Sequence, residues 1–296
     1  MKIIFSRKGF DAGIGGVASP IFPDGRLCSL PIPSSRAKYM FKDIQFENET
    51  LGAIVEDLTR NKARRFTRFD RTHPDPDLRR DALPWKRGWL PAFGPAGFAQ
   101  THLANNGVAV GDLFLFFGWF RKVHIENGHY RFDRKAPDIH LLFGWLQIGT
   151  IYNLFPSDSK LPSWADRHGE VSDGQDWWEA DGHYPDWALY VASKHLDLPG
   201  VRRDLPGGGA FRKYDNRLCL TEPGKRRGCW RLPGWMYPFP GRKPLTFHSS
   251  KHKWKRQGKW ALLQVVDRGQ EFVLDCSEYP EQKVRQLLAD LFKYTT

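Results

Sequence analysis

Gly111-Asp-Leu-Phe-Leu-Phe-Phe-Gly-Trp-Phe-Arg121 is an apolar run, rich in aromatic residues and punctuated by Gly111 and Gly118. It is too short and too rich in Phe for a typical helix, so it reads as a strand buried on both faces. Its ending, Phe117-Gly118-Trp119, recurs as Phe143-Gly144-Trp145. Two buried strands with the same aromatic corner imply a strongly bent sheet, with glycine where the backbone turns. The expected fold is α+β: a bent mixed or antiparallel sheet, barrel-like in its more closed form, with flanking helices. One domain over residues 1–296 is expected, with a basic portion over about 205–296.

Working outward, residues 138–152 form the second central strand, and Asn127-Gly128 gives a turn signal between the two. Residues 2–5 and 187–193 read as further strands, and 260–266 with 271–275 as a hairpin about Asp267-Arg-Gly-Gln270. Leu51, Ile54, Val55 and Leu58 share one face of a helix that Asn48 or Thr50 can cap. Val284, Leu287, Leu288, Leu291 and Phe292 recur at helical spacing after Ser277. Leu205-Pro-Gly-Gly-Gly209 reads as a flexible joint. The acidic region 156–185, with Trp164, Trp177 and Trp178, reads as a long ordered loop.

A chain of 296 residues, 41% hydrophobic, can bury a substantial core. Its mean hydropathy of −0.54 and the lack of a run near ~20 apolar residues argue against a membrane protein. Met1-Lys-Ile-Ile-Phe-Ser6 is too short an apolar run for a signal peptide, so a cytoplasmic location is expected. Cys28, Cys219, Cys229 and Cys276 lack CxxC spacing, which leaves reduced, mostly buried thiols. The net charge of +12 favours polyanion partners, because clustered Lys and Arg displace counterions from phosphate backbones.

Chemistry-bearing residues concentrate in a few segments. Ser6-Arg-Lys-Gly-Phe-Asp11 leads into Ala12-Gly-Ile-Gly-Gly16, a loop whose backbone N–H groups, those of Gly15 and Gly16 included, can face an anion. No helix opens behind it, which departs from a dinucleotide fingerprint. In His73-Pro-Asp-Pro-Asp-Leu78 the prolines hold the backbone extended, which turns His73, Asp75 and Asp77 to one face. That set suits a divalent metal or acid–base work; a surface Asx/Pro turn explains the same residues. His102, in a loop leading into a short helix, is a second histidine near this cluster. Arg64, Arg65 and Arg68, interleaved with Phe66 and Phe69, suit nucleic acid or a solvated face alike. So do Lys225, Arg226 and Arg227 beside Trp230, and Lys251, Lys253, Lys255 and Arg256 around Trp254.

Taken together, Ser6-Arg-Lys-Gly-Phe-Asp11, Ser29-Leu-Pro-Ile-Pro33, His73-Pro-Asp-Pro-Asp-Leu78, Ala99-Gln-Thr-His-Leu103 and Gly111-Asp-Leu-Phe-Leu-Phe-Phe-Gly-Trp119 resemble the nucleotide modification associated domain 3 family. The resemblance runs over nearly the whole chain. It implies a role in modifying bases in DNA or nucleotides, often in phage or bacterial conflict systems. It brings no settled catalytic set.

Three functions compete. The first is a base- or nucleotide-modifying enzyme, a transferase being the class in view, with DNA or a nucleotide as partner. Here Arg7 and Lys8 would hold phosphate, with Gly15 and Gly16 beside the substrate. Asp11 would act as base or nucleophile, or orient Arg7. His73, Asp75, Asp77 and His102 would supply acid–base chemistry or hold a divalent metal. Trp119 and Trp145 would stack an everted base. The second is a non-catalytic, PUA-like reader of modified bases, with Phe117, Trp119 and Trp145 as its cage. The third is a metal-dependent nuclease or phosphotransferase on His73, Asp75 and Asp77. GxSxG, HExxH, P-loop and CxxC signatures are absent.

Overall fold

The computed structural model describes residues 1–155, 160–169, 171, 186–266, 269–293 and 295. The aromatic run lies in the strand Leu113–Glu126, and its counterpart in the strand Ile139–Phe155. They pair antiparallel, with a register shift between Leu142 and Gly144. On one side Lys2–Arg7 runs parallel to Leu113–Glu126, and Glu271–Asp275 lies antiparallel beyond it. On the other side come Trp187–Ala192 and then Ala92–Phe93. With Ser19–Ile21, His129–Phe132 and Gly208–Ala210 paired along it, this is a mixed sheet of nine strands. It does not close into a barrel; the expected α+β architecture is adopted in its open form.

Both faces of the aromatic strand are covered. Phe114 and Phe116 pack with Phe93, while Phe117, pointing the other way, packs with Trp230 and Phe272. Full burial of each such ring stabilises the fold by roughly 1.5–3 kcal/mol. The two Phe-Gly-Trp glycines have a packing reason. A methyl group on Gly118 would lie 2.9 Å from the carbonyl oxygen of Lys8, and one on Gly144 2.3 Å from Leu78 Cδ1. The central strands are bare at these points so that two of the quoted motifs can cross them.

Three helices, Leu51–Thr59, Phe98–Asn105 and Glu281–Phe292, flank the sheet. Ile54, Val55 and Leu58 join Phe10, Phe41 and Phe66 in one hydrophobic cluster, and Val284, Leu288 and Leu291 join the main one. Asn127-Gly128 is the turn its sequence promises. Both residues have positive φ, 51° and 78°, and they join Leu113–Glu126 to the short strand His129–Phe132.

Two expectations are corrected. Residues 260–266 and 271–275 form no hairpin: Trp260–Gln264 belongs to a separate three-stranded sheet with Cys229–Pro233 and Trp254–Gln257, while Glu271–Asp275 pairs with Lys2–Arg7. Nor is the glycine run at 207–209 a joint. Gly208–Ala210 is a strand on Ile139–Phe155, and a methyl group on Gly207 would lie 2.0 Å from the Ser193 carbonyl oxygen. Within the expected loop 156–185, residues 156–159, 170 and 172–185, Trp177 and Trp178 among them, lie outside the described residues; Trp164 is a core side chain. The four cysteines are unpaired thiols, with Cys28 and Cys276 buried.

Candidate active site and basic clefts

The strand Arg71–His73 delivers the chain into the HPDPD segment. Asp77 is fixed through its backbone, which exchanges hydrogen bonds with Ala92 at 2.9 and 3.0 Å. Asp75 is fixed through its side chain, whose Oδ1 accepts the N–H of Gly94 at 3.0 Å. The two carboxylates then meet one residue from far along the chain. His168 Nε2 lies 3.6 Å from Asp75 Oδ1 and 3.6 Å from Asp77 Oδ2. The His168 side chain is 0% exposed, and those of Asp75 and Asp77 are 7% and 2% exposed. At 3.6 Å the contacts are electrostatic rather than hydrogen bonds. When protonated, an imidazole between two buried carboxylates offsets part of their mutual repulsion. His73 rests on the next residue: a methyl group on Gly169 would lie 2.9 Å from its Cε1. His73, Asp75 and Asp77 thus gather about His168-Gly169, but not by extended alternation: the Asp75 N–H turns back to the His73 carbonyl at 3.0 Å, and consecutive residues from Pro74 to Arg79 line one pocket.

Asp75 and Asp77 line a pocket of about 90 Å³, together with Gly9, Ser29, Pro31, Leu78 and Phe143 among others. Three of the motif segments quoted above, and the second Phe-Gly-Trp corner, thus converge on one small pocket. At ~30 Å³ per water, that space holds about three water molecules. It admits a small reacting group rather than a whole nucleobase. No group of three or more His, Cys, Asp or Glu among the described residues is disposed to hold a metal ion.

The other expected residues fall elsewhere. Asp11 Oδ1 accepts the N–H groups of Gly13 at 2.8 Å and Ile14 at 2.6 Å, which closes its own loop. Gly15 lies against Phe10, where a methyl group would be 2.2 Å from the ring, so its role there is packing. The Lys8 ammonium forms a buried pair with Glu271 at 2.9 Å and stands over the Phe93 ring. His102 Nε2 is 3.1 Å from Thr246 Oγ1 and its ring stacks on Phe247. Burial pushes the His102 pKa down, against the pull of the Glu271 carboxylate. Trp145 is a core side chain between Phe211 and Phe292, its Nε1–H donating to the Pro206 carbonyl. Phe117 belongs to the Trp230 and Phe272 group, so Phe117, Trp119 and Trp145 form no common cage.

Arg7, Gly16 and Trp119 do reach open surface, in two adjoining clefts. One is lined by Gly16, Lys62, Trp119, Arg121, Arg131 and Arg134, among others. The other, of about 500 Å³, is lined by Arg7, His140, Lys225, Arg226 and Arg227, and both share Asp138. Trp119 Nε1–H donates to Asp138 at 2.9 Å, and Arg227 covers the Trp119 ring at 4.3 Å. Lys225, Arg226 and Arg227 thus stand beside Arg7. The remaining expected nucleic-acid contacts line neither cleft. Arg68 is bound at both ends of its fork by Glu56, at 2.9 and 2.7 Å. Arg64 covers Phe66 and Arg65 is exposed. Lys251 and Lys255 are exposed, Lys253 is half-buried, and Arg256 covers Phe239.

His168 is missed by a reading of motifs, since it stands alone in Ser163-Trp-Ala-Asp-Arg-His-Gly169. His140 is missed because it hides inside an apolar strand. No helix of the described residues is long and apolar enough to cross a membrane. No curated protein and no solved structure matches the chain. Residues 2–275, nearly the whole length, match the family model described as nucleotide modification associated domain 3, and the chain belongs to that family.

Proposed function

We propose that this protein is an enzyme that modifies a nucleobase or nucleotide in DNA, with Asp75 and Asp77 as its acid–base groups. The observation that carries the reading is the convergence of distant motif segments on the small pocket those two carboxylates line. Two carboxylates so close, held by one histidine, can divide the roles of proton donor and acceptor. His168 is a positioning residue, and His73 braces it through Gly169. The small volume suits a water or a reacting substituent reaching in beside the carboxylates, with the polynucleotide held outside. The basic clefts around Trp119 and Arg7 supply that hold through phosphate contacts. Asp11 is left out of the chemistry, because its carboxylate is spent on its own loop.

The test is nucleoside composition of DNA, measured by mass spectrometry from cells carrying the wild type, Asp75→Asn, Asp77→Asn or Asp11→Asn. Loss of a general acid or base removes typically 10²–10⁴-fold, so the first two variants are expected to drop modification by at least about a hundredfold. Asp11→Asn keeps the turn acceptor and is expected to retain it. Unchanged modification by a folded Asp75→Asn protein overturns the assignment.

A further inference from the structure

His140 is the least expected lining of the larger basic cleft. Its residue is 6% exposed, and its Nδ1 accepts the Trp230 indole N–H at 2.8 Å. The indole is a donor only. The remaining proton of the ring therefore belongs to Nε2. Among the described residues that Nε2–H meets no protein acceptor, although the ring lines a cleft open to solvent. Among the described residues the charged groups lining the same cleft are Arg7, Lys225, Arg226 and Arg227, with Asp138 as the one carboxylate. Asp138 is itself engaged by Trp119 and lies 3.7 Å from Arg121. The Arg7 guanidinium donates to the Gly269 carbonyl and that of Arg227 lies over Trp119, which holds both side chains in the cleft. A fixed neutral donor sharing a cleft with two guanidiniums is an arrangement that takes an oxyanion.

We propose that the cleft between Arg7, His140 and Arg227 is a phosphate subsite, in which His140 Nε2–H donates to a phosphate oxygen of a nucleotide or a DNA strand. The guanidiniums supply charge, and His140 supplies direction. Trp230 is a positioning residue that sets the tautomer. Burial, then Arg227 and Arg7, hold the His140 pKa down to about 3, so the ring stays an uncharged donor across the physiological range. This assignment does not depend on the chemistry given to the Asp75 pocket, and Asp75→Asn is expected to bind phosphate as the wild type does.

The experiment is binding of a labelled oligodeoxynucleotide and, separately, of dAMP to the full chain, over a range of salt and pH. His140→Leu is expected to weaken binding about 5–10-fold at every salt concentration, with the slope of affinity against salt unchanged. His140→Gln, which can still donate, is expected to recover most of the loss. Arg227→Ala is expected to reduce the slope by about one, as loss of a phosphate-neutralising charge does. The same His140 dependence with dAMP assigns the phosphate to a nucleotide; dependence with the oligonucleotide alone assigns it to the strand. Undiminished binding by His140→Leu overturns the proposal. So does wild-type affinity that falls as pH rises through 6–7, because that is the signature of a titrating histidine. Should His140→Leu fail to fold, nitrogen NMR of the wild-type ring decides: an Nε2 signal that ignores added dAMP and oligonucleotide sinks the subsite.

Discussion

Two buried histidines face opposite electrostatic surroundings. His168 lies between the carboxylates of Asp75 and Asp77, and His140 beneath the guanidiniums of Arg7 and Arg227. Burial alone favours the neutral ring in both places. The neighbours then separate them: two carboxylates favour a charged ring, and two guanidiniums a neutral one. The acidic centre has buried side chains beside a small pocket, while the basic one lines a larger cleft. One suits moving a proton between groups held close. The other suits holding a polyanion without moving anything.

The sharpest way to break this contrast is to empty the acidic centre. His168→Ala removes the ring that lies 3.6 Å from each of two buried carboxylates. Removing one partner of a buried charge group costs about 3–5 kcal/mol, so a loss of this size is expected in urea unfolding. Asp77→Asn in the same chain removes one of the stranded charges and is expected to return part of it. A loss below about 1 kcal/mol for His168→Ala would mean that the ring carries no charge between the two carboxylates.

The basic centre gives the opposite signature, in acid. Unfolded His140 takes up its proton near 6.5, and folded His140 near 3. Between these values the unfolded chain binds more protons, so stability rises with pH. The contribution is complete above pH 6.5 and is lost as pH falls towards 3. It amounts to on the order of 5 kcal/mol at ~1.4 kcal/mol per pH unit. His140→Leu is expected to be less stable at neutral pH, because the Trp230 N–H loses its acceptor. It is also expected to be less sensitive to acid, so its stability curve approaches that of the wild type as pH falls. Parallel curves would show that the buried ring does not titrate as its surroundings require.

Much of this was legible in order along the chain, and what was not is long-range. The apolar run at 111–121, the Asn127-Gly128 turn and the C-terminal helix follow from local period and turn chemistry. Alternation in an extended segment predicts the closeness of His73, Asp75 and Asp77, whereas the chain turns there, the Asp75 N–H bonding back to the His73 carbonyl. His168 does not follow, because its meeting with Asp75 depends on the path of the intervening sheet. The hairpin expected at 260–275 failed for a related reason: Glu271–Asp275 pairs with the distant Lys2–Arg7, while Trp260–Gln264 forms its hairpin with the preceding strand Trp254–Gln257 and takes the distant Cys229–Pro233 on its other edge. Trp145 and Phe117 look like stacking platforms by type alone. Their burial, which no residue identity reveals, makes them core.

The smallest expected effect tests the open side of the contrast. Lys225 is exposed and lines the larger cleft, where four basic side chains accompany one carboxylate. An exposed cation holds the fold weakly, so Lys225→Ala is expected to change unfolding stability by less than about 0.5 kcal/mol. If the cleft follows a phosphate backbone, the same substitution still removes one neutralising charge. The slope of oligonucleotide affinity against salt is then expected to fall by about one, with affinity converging on the wild type at high salt. Lys255→Ala is the matched control, since Lys255 is also exposed but lines neither cleft. Equal changes in slope for both would mean that binding reads the overall charge of +12 rather than this cleft. A change confined to Lys225 would place the strand along Arg7 and Arg227, outside the pocket that Asp75 and Asp77 line.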